Sequence, residues 1–239
     1  MFDELDLRLC AIIDPGPSGN AGLPDLARRL AAGGATLIEL HDDRGRPQDI
    51  VVLARAVKDA LPPHVPLIVR DRAEIVAASG IDGVRLGGEG IDPRIVRDQL
   101  GPVPFIGLTL RTARQARAAP LAIVDYVVAD GAFAPKSDAE PRSANGIAGL
   151  QEIIEVFRDR IGNFPVCAAG AIGTANAAAA IAGGAEGLAM HFAPARIDDA
   201  ADPADAAREL RRLVDAALKR RAPLVPDTRE RRRQEEATP

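Results

Sequence analysis

The chain has no tryptophan, and aromatic residues make up only 3% of its 239 positions. Readers of single-stranded nucleic acid stack bases on aromatic platforms, so this composition argues against that task. Positive charge is not in excess either: 30 Lys and Arg against 34 Asp and Glu leave a formal net charge of −4. No general basic field points to nucleic acid. There are two cysteines, Cys10 and Cys167, both in apolar strand-like runs. They read as buried reduced thiols, not as a disulfide or a metal site. No apolar stretch approaches the length that crosses a bilayer. The opening MFDELDLRL has no basic segment followed by an apolar one, so no secretory signal is evident and a cytoplasmic location is expected. A Ser-His-Asp set, a Cys/His metal spacing and a P-loop are also missing.

What is present is a repeated local pattern. The segments AAGGATLIEL (31–40), AASGIDGVRL (77–86) and IAGGAEGLAM (181–190) each read as the last turn of a helix, a glycine stop and a short apolar strand. Glycine takes the left-handed conformation that ends a helix at little cost. The apolar run that follows is too short for a helix and suits a buried strand. Such units repeated along one chain imply a parallel sheet or barrel, with the chemistry just after each strand. Apolar residues make up 47% of the chain, and a core of Ala, Val, Ile and Leu fits a barrel interior.

Continued along the chain, the pattern predicts eight strands: Leu7–Asp14, Thr36–Leu40, Pro66–Arg70, Gly83–Leu86, Pro104–Thr109, Tyr126–Ala129, Pro165–Ala169 and Gly187–Met190. Helices are predicted between them, including Leu23–Ala32, Pro47–Leu61, Ala73–Ser79, Asp92–Leu100, Ala148–Arg160 and Thr174–Ala182, with a final one over Asp202–Arg220. Asp92 suits an N-cap, and Pro93 the first helical position. Strict alternation over 239 residues predicts a single (β/α)8 TIM barrel over residues 1–221. Residues 222–239 form a charged tail with little to bury, expected to stay disordered.

The predicted strand ends carry the candidate chemistry. Strand 7 runs into Ala169-Gly-Ala-Ile-Gly-Thr174, where small residues and a helix N-terminus favour a phosphate, helped by His191-Phe192 after strand 8. Strand 3 ends in Arg70-Asp71-Arg72, a carboxylate between guanidiniums. This suits Mg²⁺ and phosphate, or equally a surface ion-pair cluster. Strand 2 ends in Glu39, His41, Asp42 and Asp43; Glu39 and His41 share a face by the period of two, and a strand carboxylate needs a partner. Lys136 and Arg142 lie in the long loop after strand 6, and His64, ahead of strand 3, reads as structural.

In order and spacing, the segments CAIIDP, GGATLIEL, VPLIVRDRAEIVAASGIDGVRLGGEGI, FIGLTLRT, DYVVADGAFAPKSD and PVCAAGAIGTANAAAAIAGGAEGLAM resemble the thiamine-phosphate synthase and thiazole tautomerase superfamily, from about Leu9 to Ala193. The resemblance implies a transferase of thiamine biosynthesis. It joins an aminopyrimidine methyl diphosphate to a thiazole phosphate and releases pyrophosphate. Catalysis there means stabilising the departing pyrophosphate, with Mg²⁺ and basic residues. Carried over by position, Asp71 is the magnesium carboxylate and Lys136 the lysine that closes on pyrophosphate. Thr109 stands for a serine after strand 5, giving Lys136 and Thr109 as the catalytic pair. Glu39, His41, Arg70 and Arg85 fall on the pyrophosphate and pyrimidine side. Gly170 and Ala171, with the backbone of His191 and Phe192, fall on the thiazole phosphate.

The departures from the family pattern lie after strands 2 and 4. Where the family has Gln-Leu-Arg-Glu-Lys, this chain has Glu39-Leu-His-Asp-Asp43, which exchanges two positive charges for an imidazole and a carboxylate. The second magnesium carboxylate is replaced by Gly90, with Glu89 beside it as a substitute ligand. The tautomerase histidine after strand 6 is absent from Asp130-Gly-Ala-Phe133. The alternatives are therefore a non-catalytic or tautomerase-like paralogue that binds a phosphorylated thiamine precursor. Phosphorylated small molecules are the expected partners, without nucleic acid or membrane, and a homo-oligomer is compatible with the sequence.

Overall fold

Each apolar run of four to six residues forms a strand, and each amphipathic segment between them forms a helix. The computed structural model describes residues 5–15, 20–87, 91–133, 146–192 and 202–221. The strands are β1 (Leu9–Ile13), β2 (Leu37–Leu40), β3 (Leu67–Arg70), β4 (Gly83–Leu86), β5 (Phe105–Leu110), β6 (Tyr126–Asp130), β7 (Val166–Ala169) and β8 (Gly187–His191). The helices are α1 (Leu23–Ala32), α2 (Pro47–Ala60), α3 (Ala73–Ser79), α4 (Pro93–Leu100), α5 (Ala113–Ala118), α6 (Gly146–Ile161), α7 (Ala177–Ala182) and α8 (Pro203–Arg220). The strands pair in parallel, in chain order, and β8 closes onto β1. This is the (β/α)8 barrel that the alternating pattern predicts. The charged segment 222–239 lies outside the described residues.

The glycines of the repeated pattern act as the sequence suggests. Gly34, Gly80 and Gly184 have φ of 105°, 76° and 115°, turning the chain from helix into strand where a side chain would be strained. Asp92 caps α4 by accepting a hydrogen bond from the Arg94 N–H at 2.9 Å, with Pro93 following it. Both cysteines are free and buried, on β1 and β7.

A strand's period of two separates two cores. One set of side chains, including Leu9, Ala11, Ile13, Ile38 and Leu40, packs outward against the helices. The other, including Cys10, Ile12, Leu37, Ile68, Tyr126, Val128, Cys167 and Ala169, fills the barrel. Gly107 makes room for the Tyr126 ring, because a Cβ there would sit 2.2 Å from it. Followed one step further along each strand, the inward face reaches Asp14, His41, Arg70, Arg111, Asp130, Ala171 and His191 at the C-terminal mouth.

Candidate active site

A polar layer lies across the barrel beneath this mouth. Glu39 of β2 is fully buried and Arg85 of β4 is 3% exposed. Arg85 Nε donates to Glu39 Oε2 at 2.5 Å, Nη2 donates to Oε1, and Nη1 donates to Thr109 Oγ1 at 2.6 Å. The partner that a strand carboxylate requires is thus two strands away. Burial works against the Arg85 charge, but the Glu39 carboxylate outweighs it and holds the guanidinium well above its usual pKa. Burial likewise pushes the Tyr126 hydroxyl and both thiols up. The Tyr126 hydroxyl is the buried side-chain atom left without a partner among the described residues.

Above this layer is a cavity of about 340 Å³, lined by Ile12, Arg70, Arg85, Arg111, Asp130, the run Ala169–Ile172, and Ala189, Met190 and His191. A second groove, near 390 Å³, runs past α3 and α4. Its lining is mostly apolar, with Asp82 and Gln99 as its polar residues. Converging charge therefore marks the mouth as the candidate site. Arg111 Nε pairs with Asp130 at 3.2 Å, and Arg70 Nε faces Asp71 more loosely at 3.5 Å.

Asp71 lies just past β3 in the left-handed region, with φ of 54°. Aspartate tolerates this better than most residues. Its N–H donates to the Arg85 carbonyl at 2.9 Å, and its Oδ1 accepts from the Gly87 N–H at 2.5 Å. A Cβ at 87 would meet Asp71 Oδ2 at 2.9 Å and shift the end of that side chain. Arg72 Nε donates to Glu74 Oε1 at 2.6 Å.

The loop after β7 is shaped by Gly170 at φ 100° and Ala171 at φ 45°. The second position would favour glycine on steric grounds, and Ala171 occupies it with a left-handed backbone. Asn176 ties the loop together: its Oδ1 accepts from the Gly173 N–H at 2.7 Å and its Nδ2 donates to the Ala171 carbonyl at 3.1 Å. With the Asn176 side chain committed to the loop, α7 begins at Ala177 and not at Thr174. The predicted dipole of a helix opening at 174 is therefore replaced by a shaped loop. Across the seam, Phe192 is buried and its N–H donates to the Ile12 carbonyl at 2.8 Å, so that donor is committed to the barrel.

His41 and His191 both face Asp14, at the ends of β2, β8 and β1. Asp14 Oδ1 lies 3.4 Å from His191 Nδ1 and 3.7 Å from His41 Nδ1. The imidazoles of His191 and then His41 hold the Asp14 carboxyl well below the usual carboxylate range. Asp42 is buried in the turn that follows, where it accepts N–H bonds from Arg44 at 3.1 Å and Gly45 at 2.7 Å. Asp42 is thus held by a backbone turn, and Arg46 pairs with Asp49 at 2.7 Å. His64 is exposed. Lys136, Arg142 and Glu89 lie outside the described residues.

The structure thus gathers Arg70, Arg85, Gly170, Ala171 and His191 on one cavity, with His41 and Asp71 at the adjoining strand ends. Glu39 and Thr109 lie below, joined to Arg85. Asp14, Arg111 and Asp130 were not singled out as site residues from the sequence. The signal was available for all three, each two positions beyond an inward residue (Ile12, Thr109 and Val128).

No helix among the described residues is long and apolar enough to cross a membrane. Residues 9–193 match the family model described as thiamine monophosphate synthase. The thiamine-phosphate synthase of Agrobacterium fabrum is 35% identical over 223 residues, covering 93% of this chain and all of that protein. The thiamine-phosphate synthase of Koribacter versatilis is 34% identical, over 77% of this chain and 86% of its own length. Among solved structures, a thiamine phosphate pyrophosphorylase from Pyrococcus furiosus superposes with a TM-score of 0.74 at 25% identity, covering 90% of this chain and 98% of that one. The resemblance drawn from the motifs is met by family, relatives and architecture alike, and the chain belongs to the thiamine monophosphate synthase family.

Proposed function

We propose that this chain is an active thiamine-phosphate synthase, a transferase that joins an aminopyrimidine methyl diphosphate to a thiazole phosphate and releases pyrophosphate. The observation that carries the reading is the convergence of Arg70, Arg85 and Arg111 with the Gly170 loop on one cavity, in a chain of this family.

In this reading Arg70 and Arg111 take the charge of the departing pyrophosphate as it develops, which is where fixed donors lower a barrier most. Arg85 supplies a fixed positive floor, and Glu39 and Thr109 act through it as positioning residues. The loop from Gly170 to Ile172 receives the thiazole phosphate, flanked by His191. Lys136, which falls by position on the family's pyrophosphate lysine, is assigned to the pyrophosphate. His41 adjoins the pyrimidine side, where the family uses arginine.

Asp71 fits a magnesium site of the kind completed by substrate. Its carboxylate is 44% exposed at a strand end beside Arg70, and Mg²⁺ is commonly held by one or two carboxylates plus substrate phosphates and water. The ion would neutralise pyrophosphate oxygens there, with Glu89 as a second ligand. A cytoplasmic location, phosphorylated small-molecule partners and a homo-oligomer belong to the same reading.

The test is direct. The purified full chain is given both substrates with Mg²⁺, and thiamine phosphate is measured by chromatography. Product formation is expected, with Arg70→Ala slowed by about 10²–10³, the usual cost of removing one stabilising donor. Full activity in Arg70→Ala would remove the assigned role, and no product from the native chain would remove the function.

A second reading is favoured by His41-Asp42-Asp43 standing where the family has Arg-Glu-Lys. Here the chain binds a phosphorylated thiamine precursor without turnover. Calorimetry that shows metal-independent binding, together with no product, selects this reading.

A further inference from the structure

The mouth of the barrel carries a cluster to which the synthase reading gives no joint role, although it places His41 and His191 individually beside the substrates. Asp14, His41 and His191 come from three adjacent strand ends, and their ligand atoms all lie within 4.8 Å of one another. They use two of the chain's three histidines. We infer that these three residues form a binding site for a divalent first-row transition ion of the Zn²⁺ type, separate from the magnesium carboxylate at Asp71.

The spacing supports an ion more than a hydrogen bond. The imidazole-to-carboxylate separations of 3.4 and 3.7 Å exceed the roughly 2.7–3.2 Å of a good N–H···O bond. The shorter one matches the edge of a coordination polyhedron, and the whole set spans at most 4.8 Å, so a bound ion would draw the other ligand atoms slightly inward. Ligands at about 2.0–2.1 Å from a tetrahedral Zn²⁺ stand roughly 3.3–3.4 Å apart. Two imidazoles and one carboxylate form a common three-ligand set that leaves a position open.

The backbone holds the set in place. Ile12 pairs with His191 across β1 and β8, and the His41 N–H donates to the Ile13 carbonyl at 3.0 Å. Sites built on strand ends of a closed barrel are held more closely than sites on free loops. A second carboxylate stands behind the first histidine: Asp43 Oδ1 lies 3.5 Å from His41 Nε2, the nitrogen that faces away from Asp14, and would have to close by a few tenths of an ångström to bond it. A carboxylate behind a ligating imidazole fixes its orientation and raises its basicity. Asp14 and Asp43 together match the charge of a dication.

Side-chain exposures of 31% for Asp14, 23% for His41 and 42% for His191 leave the set open to solvent. His191 also lines the 340 Å³ cavity, so the free position is within reach of a ligand held there. Nitrogen ligands select against Mg²⁺, which prefers oxygen, and the two ions are therefore distinguishable. The inference does not depend on the synthase reading, because its test uses no substrate.

The experiment uses the untagged full chain, stripped with chelator and equilibrated with Zn²⁺ under excess Mg²⁺, with bound metal counted by elemental analysis. Co²⁺ serves as the spectroscopic substitute. One Zn²⁺ per chain is expected, with visible Co²⁺ d–d bands and no thiolate charge-transfer band. His41→Ala and His191→Ala should abolish stoichiometric binding, and Asp43→Asn should weaken it by about 10-fold. His64→Ala should leave binding unchanged. The inference is overturned by absence of stoichiometric binding, by displacement with Mg²⁺, by a thiolate band, by binding that survives the double histidine variant, or by loss in His64→Ala.

Discussion

Replacing Glu39 by alanine removes the carboxylate and leaves Arg85 charged inside the barrel. The structure sets the magnitude. Glu39 is fully buried, Arg85 is 3% exposed, and two of the three guanidinium bonds end on Glu39. Breaking a buried pair from one side costs about 3–5 kcal/mol, because the remaining charge is uncompensated. Arg85 also lines the mouth cavity, where water relieves part of that cost, so the lower figure, about 3 kcal/mol, is expected. For a domain of this size that corresponds to a fall in Tm of roughly 6–12 °C. Replacing both partners by apolar residues of similar volume, Glu39→Leu with Arg85→Met, should recover most of the loss, since neither charge is then buried alone. Urea unfolding of the two singles and the double closes a mutant cycle and gives the coupling directly. If Glu39→Ala lies within about 1 kcal/mol of the native chain, or the double is no better than that single, the polar layer is not held as a buried ion pair.

Gly107→Ala should destabilise by about 1–3 kcal/mol or more, because its Cβ would enter the Tyr126 ring, and an unchanged urea midpoint would contradict that packing. Gly170→Ala should weaken phosphate binding measured by calorimetry: the residue sits at φ 100°, and a Cβ would lie 2.7 Å from the Gly131 nitrogen. Unaltered affinity would separate the loop from the ligand. Glu186 has its pKa raised by burial, only partly offset by Arg221. Its ionised form is therefore disfavoured on folding, and stability is full below the unfolded pKa and declines as pH rises through the folded one. Glu186→Gln should thus gain stability over the native chain at neutral pH and lose that advantage in acid; a variant that is weaker at neutral pH would reverse the sign.

What the sequence made legible, and what it did not, divides along one physical line. Local signals were sufficient for local structure. Gly34, Gly80 and Gly184 mark helix ends because only glycine takes those backbone angles cheaply, and Asp92 with Pro93 marks the start of α4. The start of α7 is the instructive exception. Asn176 has the residue type of a cap but spends its side chain on Gly173 and Ala171, a choice that a one-dimensional reading does not distinguish.

Partnership across strands was not legible, because a period of two says which face a residue takes and not which neighbour it meets. Glu39 was recognisable as a strand carboxylate in need of a partner, yet Arg85 became that partner only once two strands were laid beside it. The same holds with more force for Asp14, His41 and His191. Barrel closure places the last strand against the first, so residues near opposite ends of the chain come to share a few ångströms, and no motif with fixed spacing describes them. The two polar sets differ in what they can do. The Glu39–Arg85–Thr109 layer has satisfied its donors internally and lies below the cavity, which suits it to fixing charge in place. The Asp14–His41–His191 set sits at the rim, with contacts too long for good hydrogen bonds and access to solvent, which suits it to receiving something from outside. The substitution of His41 for a family arginine then changes what the second strand end can bind as well as how much charge it carries.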